Sequence, residues 1–354
     1  TGYYYRVVFG VDSGTITTEQ AADAFAYIYG VRTDATLTQQ GIAADAEAVH
    51  RALIRPTGIV SIQHGGTDAY PQNTLGLYKQ AYRNGLLYWE CDVIPTADGS
   101  YVLCHDDDIC THALTSDGQV IQSGTVSIKA TNLAVLRTYK FGVLTGATPT
   151  IVEGFEDETI PTLEEFLLLA KAAGAVPVVE IKFSFGTSTT HAQHVTNIVN
   201  LIKKYGMIDS AYIIAFANGE YTAQCACEAG IRNIGIIYNN GEATTAAVDT
   251  VAGWVANYRE QLKDVVYLPS ATNLATNPTL VDYAATLDMR CGAWTIQSNL
   301  DMNKLTALMD AGATFYITNL REIGEVAREL LGLKRIGHGT GSTYNLPSAT
   351  GVSF

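Results

Sequence analysis

From residue 59 onward, short apolar runs alternate with longer amphipathic segments, and no other feature of this 354-residue chain constrains its fold so tightly. The candidate strands are "IVSIQH" (59–64), "LLYWECDVI" (86–94), "VPVVEIKF" (176–183) and "AYIIAF" (211–216). They continue with "NIGIIYN" (233–239), "DVVYLPS" (264–270), "RCGAWTI" (290–296) and "TFYITN" (314–319). Most segments between them carry helical spacing. Two of these, "PTLEEFLLLAKAAG" and "DMNKLTALMDAG", close on Gly, the residue suited to a helix C-cap. With a final helix in "REIGEVARELLG", the pattern gives eight βα units over about 270 residues, the arithmetic of a (β/α)8 barrel. The expected class is α/β, a TIM barrel. A chain with 47% hydrophobic and 16% charged residues can fill one large core of that kind.

Three stretches break the rhythm. Residues 107–160 carry Ser, Thr, Gly and short β-like pieces in place of a clean helix, and read as an insertion after strand two that covers the barrel's C-terminal mouth. Residues 1–55 form an N-terminal appendage: "YYYRVVFGV" suits a strand, and "TEQAADAFAYIYG" a helix opened by Thr18. In "GIAADAEAVHRALI", Ile42, Ala46, Val49 and Leu53 share one helix face, an a/d seam of under two heptads. This helix either oligomerises or attaches the chain, or simply packs on the barrel; both readings stay open here. The barrel itself is expected over 56–335, and residues 336–354 are a Gly/Ser-rich tail.

A net charge of −13 argues against nucleic acid as partner, because phosphate backbones need a basic surface. Any phosphate substrate must be drawn in locally, by a metal or a few placed cations. No run of about 18 apolar residues is present, so no segment reads as a membrane span. A chain that starts at Thr1 without Met reads as processed or cut from a longer one. The six cysteines (Cys91, Cys104, Cys110, Cys225, Cys227, Cys291) show no zinc-type pairing, and read as buried free thiols.

The chemistry-bearing residues gather at strand ends. Side chains two apart on a strand face the same way, so Glu90 and Asp92 project together, as do Glu180 and Lys182 in "VVEIKF". His64 ends strand one, and His105 follows the short strand "YVLC". In a barrel these six converge on the C-terminal face, where such enzymes keep their sites. Bare carboxylates there are costly to desolvate. One divalent cation, Ca²⁺ or Mg²⁺, would hold Glu90, Asp92 and Glu180 as oxygen ligands. Two histidines beside it suit general acid and base. In "QHGGTDAYPQNT", Gly65 and Gly66 let backbone approach a ligand. Asn73 and Thr74 open the first helix, where Asn73 either donates to phosphate or caps the helix. The pair His191 and His194 (HxxH) is expected on a solvated helix face, and His50, His112 and His338 show no partners in the sequence.

The run "HGGTDAYPQNT…ECDVIPTADGSYVLCHDD…IPTLEEFL…VEIK…WTI" resembles the glycerophosphodiester phosphodiesterase family, over about residues 59–333. The resemblance implies a (β/α)8 barrel with a small inserted subdomain. It implies that His64 and His105 are the acid/base pair, that Glu90, Asp92 and Glu180 ligate the metal, that Lys182 contacts phosphate, and that Trp294 lines the pocket. The implied reaction releases glycerol 3-phosphate and an alcohol, the glycerol 2-hydroxyl attacking phosphorus first to give a cyclic phosphate that water opens. Three positions depart from the family's pattern. Its H-R-G reads His64-Gly65-Gly66, its P-E-N-T reads Pro71-Gln72-Asn73-Thr74, and its T-D reads Thr318-Asn319. The missing arginine removes a bidentate phosphate clamp that lysine does not reproduce. The segment "LTQQGIAADAEAVHRAL" resembles a piece of phage tail-fibre and baseplate proteins. Together these lead us to expect an extracellular or virion-associated enzyme cutting glycerol-phosphate polymers such as teichoic acid or capsule, with homo-oligomers through the N-terminal helix. The alternatives are a secreted bacterial glycerophosphodiesterase acting on free diesters, and a catalytically impaired polymer-binding tail module.

Overall fold

The computed structural model describes residues 59–62, 70–83, 86–296, 307–308 and 311–318. In chain order these form β1 (Ile59–Ile62), α1 (Leu75–Arg83), β2 (Tyr88–Pro95), β3 (Tyr101–Leu103), α2 (Leu133–Leu136), β4 (Val143–Leu144) and β5 (Thr150–Ile151). There follow α3 (Leu163–Ala173), β6 (Val176–Ile181), α4 (Thr189–Lys204), β7 (Tyr212–Ala215), α5 (Gly219–Glu228), β8 (Asn233–Ile236) and α6 (Thr245–Val255). The chain then runs through β9 (Asp264–Tyr267), α7 (Ala271–Thr276), α8 (Leu280–Thr286), β10 (Arg290–Ile296) and β11 (Phe315–Thr318).

Eight of these strands pair in parallel in the order β1, β11, β10, β9, β8, β7, β6, β2, and β1 pairs back with β2 to close the ring. All eight expected strands are present, most of them a residue or two shorter than their apolar runs. The expected segment over residues 1–55, the tail and the final helix over 321–332 lie outside the described residues, as does most of 301–312.

Alternation along each strand sorts side chains between two cores. Inside the barrel, Val178, Tyr212, Ile214, Val266, Leu268, Phe315 and Ile317 pack together. Their chain neighbours Val179, Ile213, Val265 and Tyr316, and Trp89 and Cys91 on either side of Glu90, belong to the core between barrel and helices. The interior leaves little room: a Cβ added at Gly235 would lie 2.8 Å from Leu268, and one at Gly292 2.4 Å from the Phe315 carbonyl. At the floor, Arg290 donates to Asp264 at 2.5 Å and to Thr314 at 3.0 and 3.1 Å, while Tyr212 donates to Asp264 at 2.7 Å.

The insertion begins as β3 folds back antiparallel on β2. Residues 104–162 then build a small core of their own, in which Ile109, Ala113, Ile121, Ile128, Leu136, Phe141 and Ile160 meet Ile94 of β2. A capping box at Thr162 and Glu165 starts α3, and Gly174, in the left-handed region at φ 66°, ends it. All six cysteines are free thiols and five are buried, as expected. Burial pushes the Cys227 and Cys291 thiols up to about 12, so they pack as apolar groups.

Candidate functional site

The site is set by register. Asp92 of β2 lies directly beside Glu180 of β6, while Glu90 lies one step deeper beside Val178. All three carboxylates are buried, at no more than 2% exposure. One oxygen from each lies within 4.8 Å of the others. Lys182, just past the end of β6, places Nζ 3.0 Å from Glu180 Oε1 and 3.6 Å from Asp92 Oδ1. Burial pushes the Glu180 carboxyl up, against the pull of the Lys182 charge. Burial works against the Lys182 ammonium too, but the charges of Glu180 and Asp92 outweigh it and hold its pKa above the ordinary range. Lys182 is therefore a cation throughout the neutral range.

Asn73 reaches this group from the loop before α1, in the left-handed conformation (φ 54°) that Asn tolerates better than most residues. Its Nδ2 donates to Asp92 Oδ2 at 2.9 Å, and its Oδ1 accepts from the Asp92 amide at 3.1 Å. Tyr78 of α1 donates to the Glu90 carbonyl at 2.9 Å. The helix-capping role falls to Thr74, whose hydroxyl accepts from the Leu77 amide at 3.2 Å. Asn73 thus positions a carboxylate on both faces of its amide.

His105 arrives on the first residues of the insertion. Its Nε2 is 3.0 Å from Lys182 Nζ and its Nδ1 2.9 Å from Asp106 Oδ1. An ammonium can only donate, so Nε2 is the acceptor and the ring proton sits on Nδ1, donated to Asp106. Burial lowers the pKa of this imidazole, but the Asp106 hydrogen bond and the Asp92 charge outweigh it and the net shift is upward. Asp106 is held well below the usual carboxylate range, first by His105 and then by His112. His112 Nε2 lies 2.7 Å from Asp106 Oδ2. Across the mouth, the Trp294 and Phe216 rings meet at a tilt of 50° with centroids 5.8 Å apart, and Trp294 Nε1 is buried with no hydrogen-bond partner among the described residues. Thr145 of the insertion accepts from Gln72, a second contact between the insertion and the mouth.

The donor set fits a hard divalent cation: three clustered carboxylates offer oxygen ligands of the kind Ca²⁺ and Mg²⁺ take.

Over residues 64–318 the chain matches the glycerophosphoryl diester phosphodiesterase family. It belongs to that family. The chain is accordingly a phosphoric diester hydrolase of the glycerophosphodiester phosphodiesterase type. Solved structures agree on the fold. One similar structure is a glycerophosphoryl diester phosphodiesterase from Silicibacter pomeroyi, with TM-score 0.63, 18% identity and coverage of 78% of this chain and 93% of that one. Another is a phosphodiesterase from Oleispira antarctica in complex with its product sn-glycerol-3-phosphate, with TM-score 0.58, 19% identity and coverage of 77% and 97%. A third, a glycerophosphodiester phosphodiesterase from Parabacteroides distasonis, gives 0.53, 21%, 79% and 99%. No curated protein matches the chain.

Of the residues expected at the site of this family member, Glu90, Asp92, Glu180, Lys182 and His105 come together, and Asn73 joins them through Asp92. Trp294 stands at the mouth beside Phe216. His64 and Gly65 lie outside the described residues. Two expectations are corrected. His112 does have a partner, Asp106. The HxxH pair is not on a solvated face: His191 is fully buried, 2.8 Å from Thr222 of α5, and His194 stacks on Phe185 while facing the Tyr101 hydroxyl at 2.9 Å. Burial lowers the pKa of both imidazoles, as expected for packing residues.

Proposed function

We propose that the chain cleaves glycerophosphodiesters with one divalent cation, Ca²⁺ or Mg²⁺, held by Glu90, Asp92 and Glu180. The observation that carries this reading is the convergence of three buried carboxylates with the Lys182–His105 pair at one end of the barrel. The cation, when bound, polarises the phosphoryl group as a Lewis acid. The protein's own groups do the rest. Lys182 offers its ammonium to a phosphoryl oxygen while remaining tethered to Glu180. His105 Nε2 faces Lys182 and moves the proton, with His64 as the second member of the acid/base pair. The Trp294 indole, whose N–H meets no acceptor among the described residues, contacts the substrate at the mouth.

The proposal extends to setting. The likeness of its N-terminal segment to phage tail proteins favours an extracellular or virion-borne enzyme acting on glycerol-phosphate polymers, assembled through that segment. A secreted bacterial enzyme acting on free diesters is the neighbouring reading. Finding no such chain in the purified native particle would count against the tail. A second reading, a polymer-binding module, is favoured by Gly65 standing where the family has its phosphate-clamping arginine.

³¹P NMR with glycerol-phosphate teichoic acid, and with glycerophosphocholine, each with and without Ca²⁺ or Mg²⁺, tests the chemistry. Phosphomonoester or cyclic-phosphate signals only with metal support the enzyme. Unchanged spectra throughout, with polymer binding retained, support the module. Turnover that survives EDTA sinks the metal assignment. Glu90→Gln, Asp92→Asn and Glu180→Gln should each weaken the metal-induced rise in Tm, a readout independent of activity.

A further inference from the structure

The Nδ1 side of the His105 ring rests on a mount made by the segment that follows it. The three aspartates after it are each spent differently. Asp107 accepts from Ser127 Oγ at 2.8 Å and from the Lys129 amide at 2.9 Å. Asp108 accepts from the Cys110 amide at 3.1 Å and the Gly124 amide at 2.6 Å, opening a single 3-10 turn over Ile109–Thr111. That turn ends at His112, whose amide donates to the Ile109 carbonyl at 3.0 Å. Its imidazole is thereby aimed back at Asp106. The His112 side chain is 4% exposed, whereas the Asp106 side chain is 54% exposed. Left alone, so exposed a carboxylate would rotate among its rotamers and present either oxygen, or neither, to His105.

We propose that His112 is a positioning residue for proton transfer by His105: its Nε2–H pins one oxygen of Asp106, so that the other keeps the His105 Nδ1–H and leaves Nε2 aimed at the substrate. When the ring is protonated and Lys182 has moved onto a phosphoryl oxygen, the Nε2 proton passes to the departing alkoxide and the neutral ring, with its proton on Nδ1, is restored. The relay runs 2.7 Å, 2.9 Å and 3.0 Å through His112, Asp106, His105 and Lys182. The inference rests on the acid/base role given to His105 above. It adds a residue outside the Glu90, Asp92 and Glu180 carboxylate cluster, one that the sequence leaves without a partner.

Leaving-group dependence separates positioning from mere structural support. An alkyl leaving group such as choline needs a proton as it departs, and a nitrophenolate does not. We would therefore measure kcat and KM with saturating metal on glycerophosphocholine and on the p-nitrophenyl ester of glycerol phosphate. His112→Ala should lower kcat on the alkyl ester by roughly tenfold to a hundredfold, a part of the roughly 10²–10⁴-fold that a positioned general acid contributes. KM and the nitrophenyl rate should hardly move. His112→Gln, whose amide N–H can reach where Nε2–H was, should recover much of the loss and guards against a variant that fails to fold. Equal losses on both substrates, or no recovery in His112→Gln, would overturn the proposal. His105→Ala serves as reference. If it shows no leaving-group dependence, the acid role itself is wrong and the proposal falls with it. If His105→Ala shows that dependence and His112→Ala does not, the positioning role alone is wrong.

Discussion

Asn73 shows how much one residue can settle. It stands in the left-handed region, where a residue without Asn's local hydrogen bonding is strained, and both ends of its amide are on Asp92. Asn73→Ala should lose a hydrogen bond to a carboxylate, worth about 1.5–3 kcal/mol, and about 1 kcal/mol more in backbone strain. A fall in unfolding free energy of about 3 kcal/mol, measured by denaturant titration, is the expected result. Asn73→Asp tolerates the backbone but brings a fourth carboxylate to the cluster, so it should lower stability in EDTA and recover part of the loss when Ca²⁺ is added. The i, i+2 pattern made the carboxylates and Lys182 legible, because strand alternation fixes which way they face. The Asn73–Asp92 and His112–Asp106 contacts were not legible, since each depends on a loop conformation that no spacing rule encodes.

Helix α3 carries the clearest element-scale prediction. Thr162 accepts from the Glu165 amide at 3.2 Å, and Glu165 returns to the Thr162 amide at 2.8 Å and to Arg137 of the insertion at 2.6 Å. Thr162→Ala should cost about 1 kcal/mol, the usual value of a lost N-cap. Burial would raise the Glu165 carboxyl, but hydrogen bonds from Thr162 and the Arg137 charge outweigh it and its pKa is lowered. A lowered carboxylate pKa stabilises above the unfolded value near 4.3 and loses that contribution as pH falls through the folded value. The Tm gap between wild type and Glu165→Ala should therefore be widest near neutrality and close in acid; a gap that widens in acid would refute it. The helix and its closing Gly174 were readable in "PTLEEFLLLAKAAG". The buried side of α4 was not, because His191 is placed by its packing on Thr222 of α5, which lies thirty-one residues away in sequence.

At the scale of the whole molecule, the two ends of the barrel do different work. The floor ties β7, β9 and β10 to the residue that leads into β11, through Tyr212, Asp264, Arg290 and Thr314. Asp264→Ala would leave a buried guanidinium without its carboxylate and should cost about 3–5 kcal/mol, with activity per folded molecule unchanged. The chain's net charge of −13 acts over longer range. A glycerol-phosphate polymer is itself a polyanion, so kcat/KM on it should rise as ionic strength goes from about 0.02 to about 0.2 M and the Debye length shrinks below about 10 Å. Glycerophosphocholine, with no net charge, should show a flat profile; a falling profile for the polymer would point to a basic docking surface instead. The ring of eight strands was legible because each strand has to bury one face in the barrel and the other under helices, which writes apolar runs into the sequence. The core of the insertion was not, because its short pieces are held by turns and aspartates. That division has an evolutionary consequence. The carboxylates and Lys182 belong to β2 and β6, whereas His105, Asp106 and His112 belong to the inserted segment. Lineages could thus exchange the inserted segment, and with it the alcohols they release easily, while the seat of the phosphorus stays fixed.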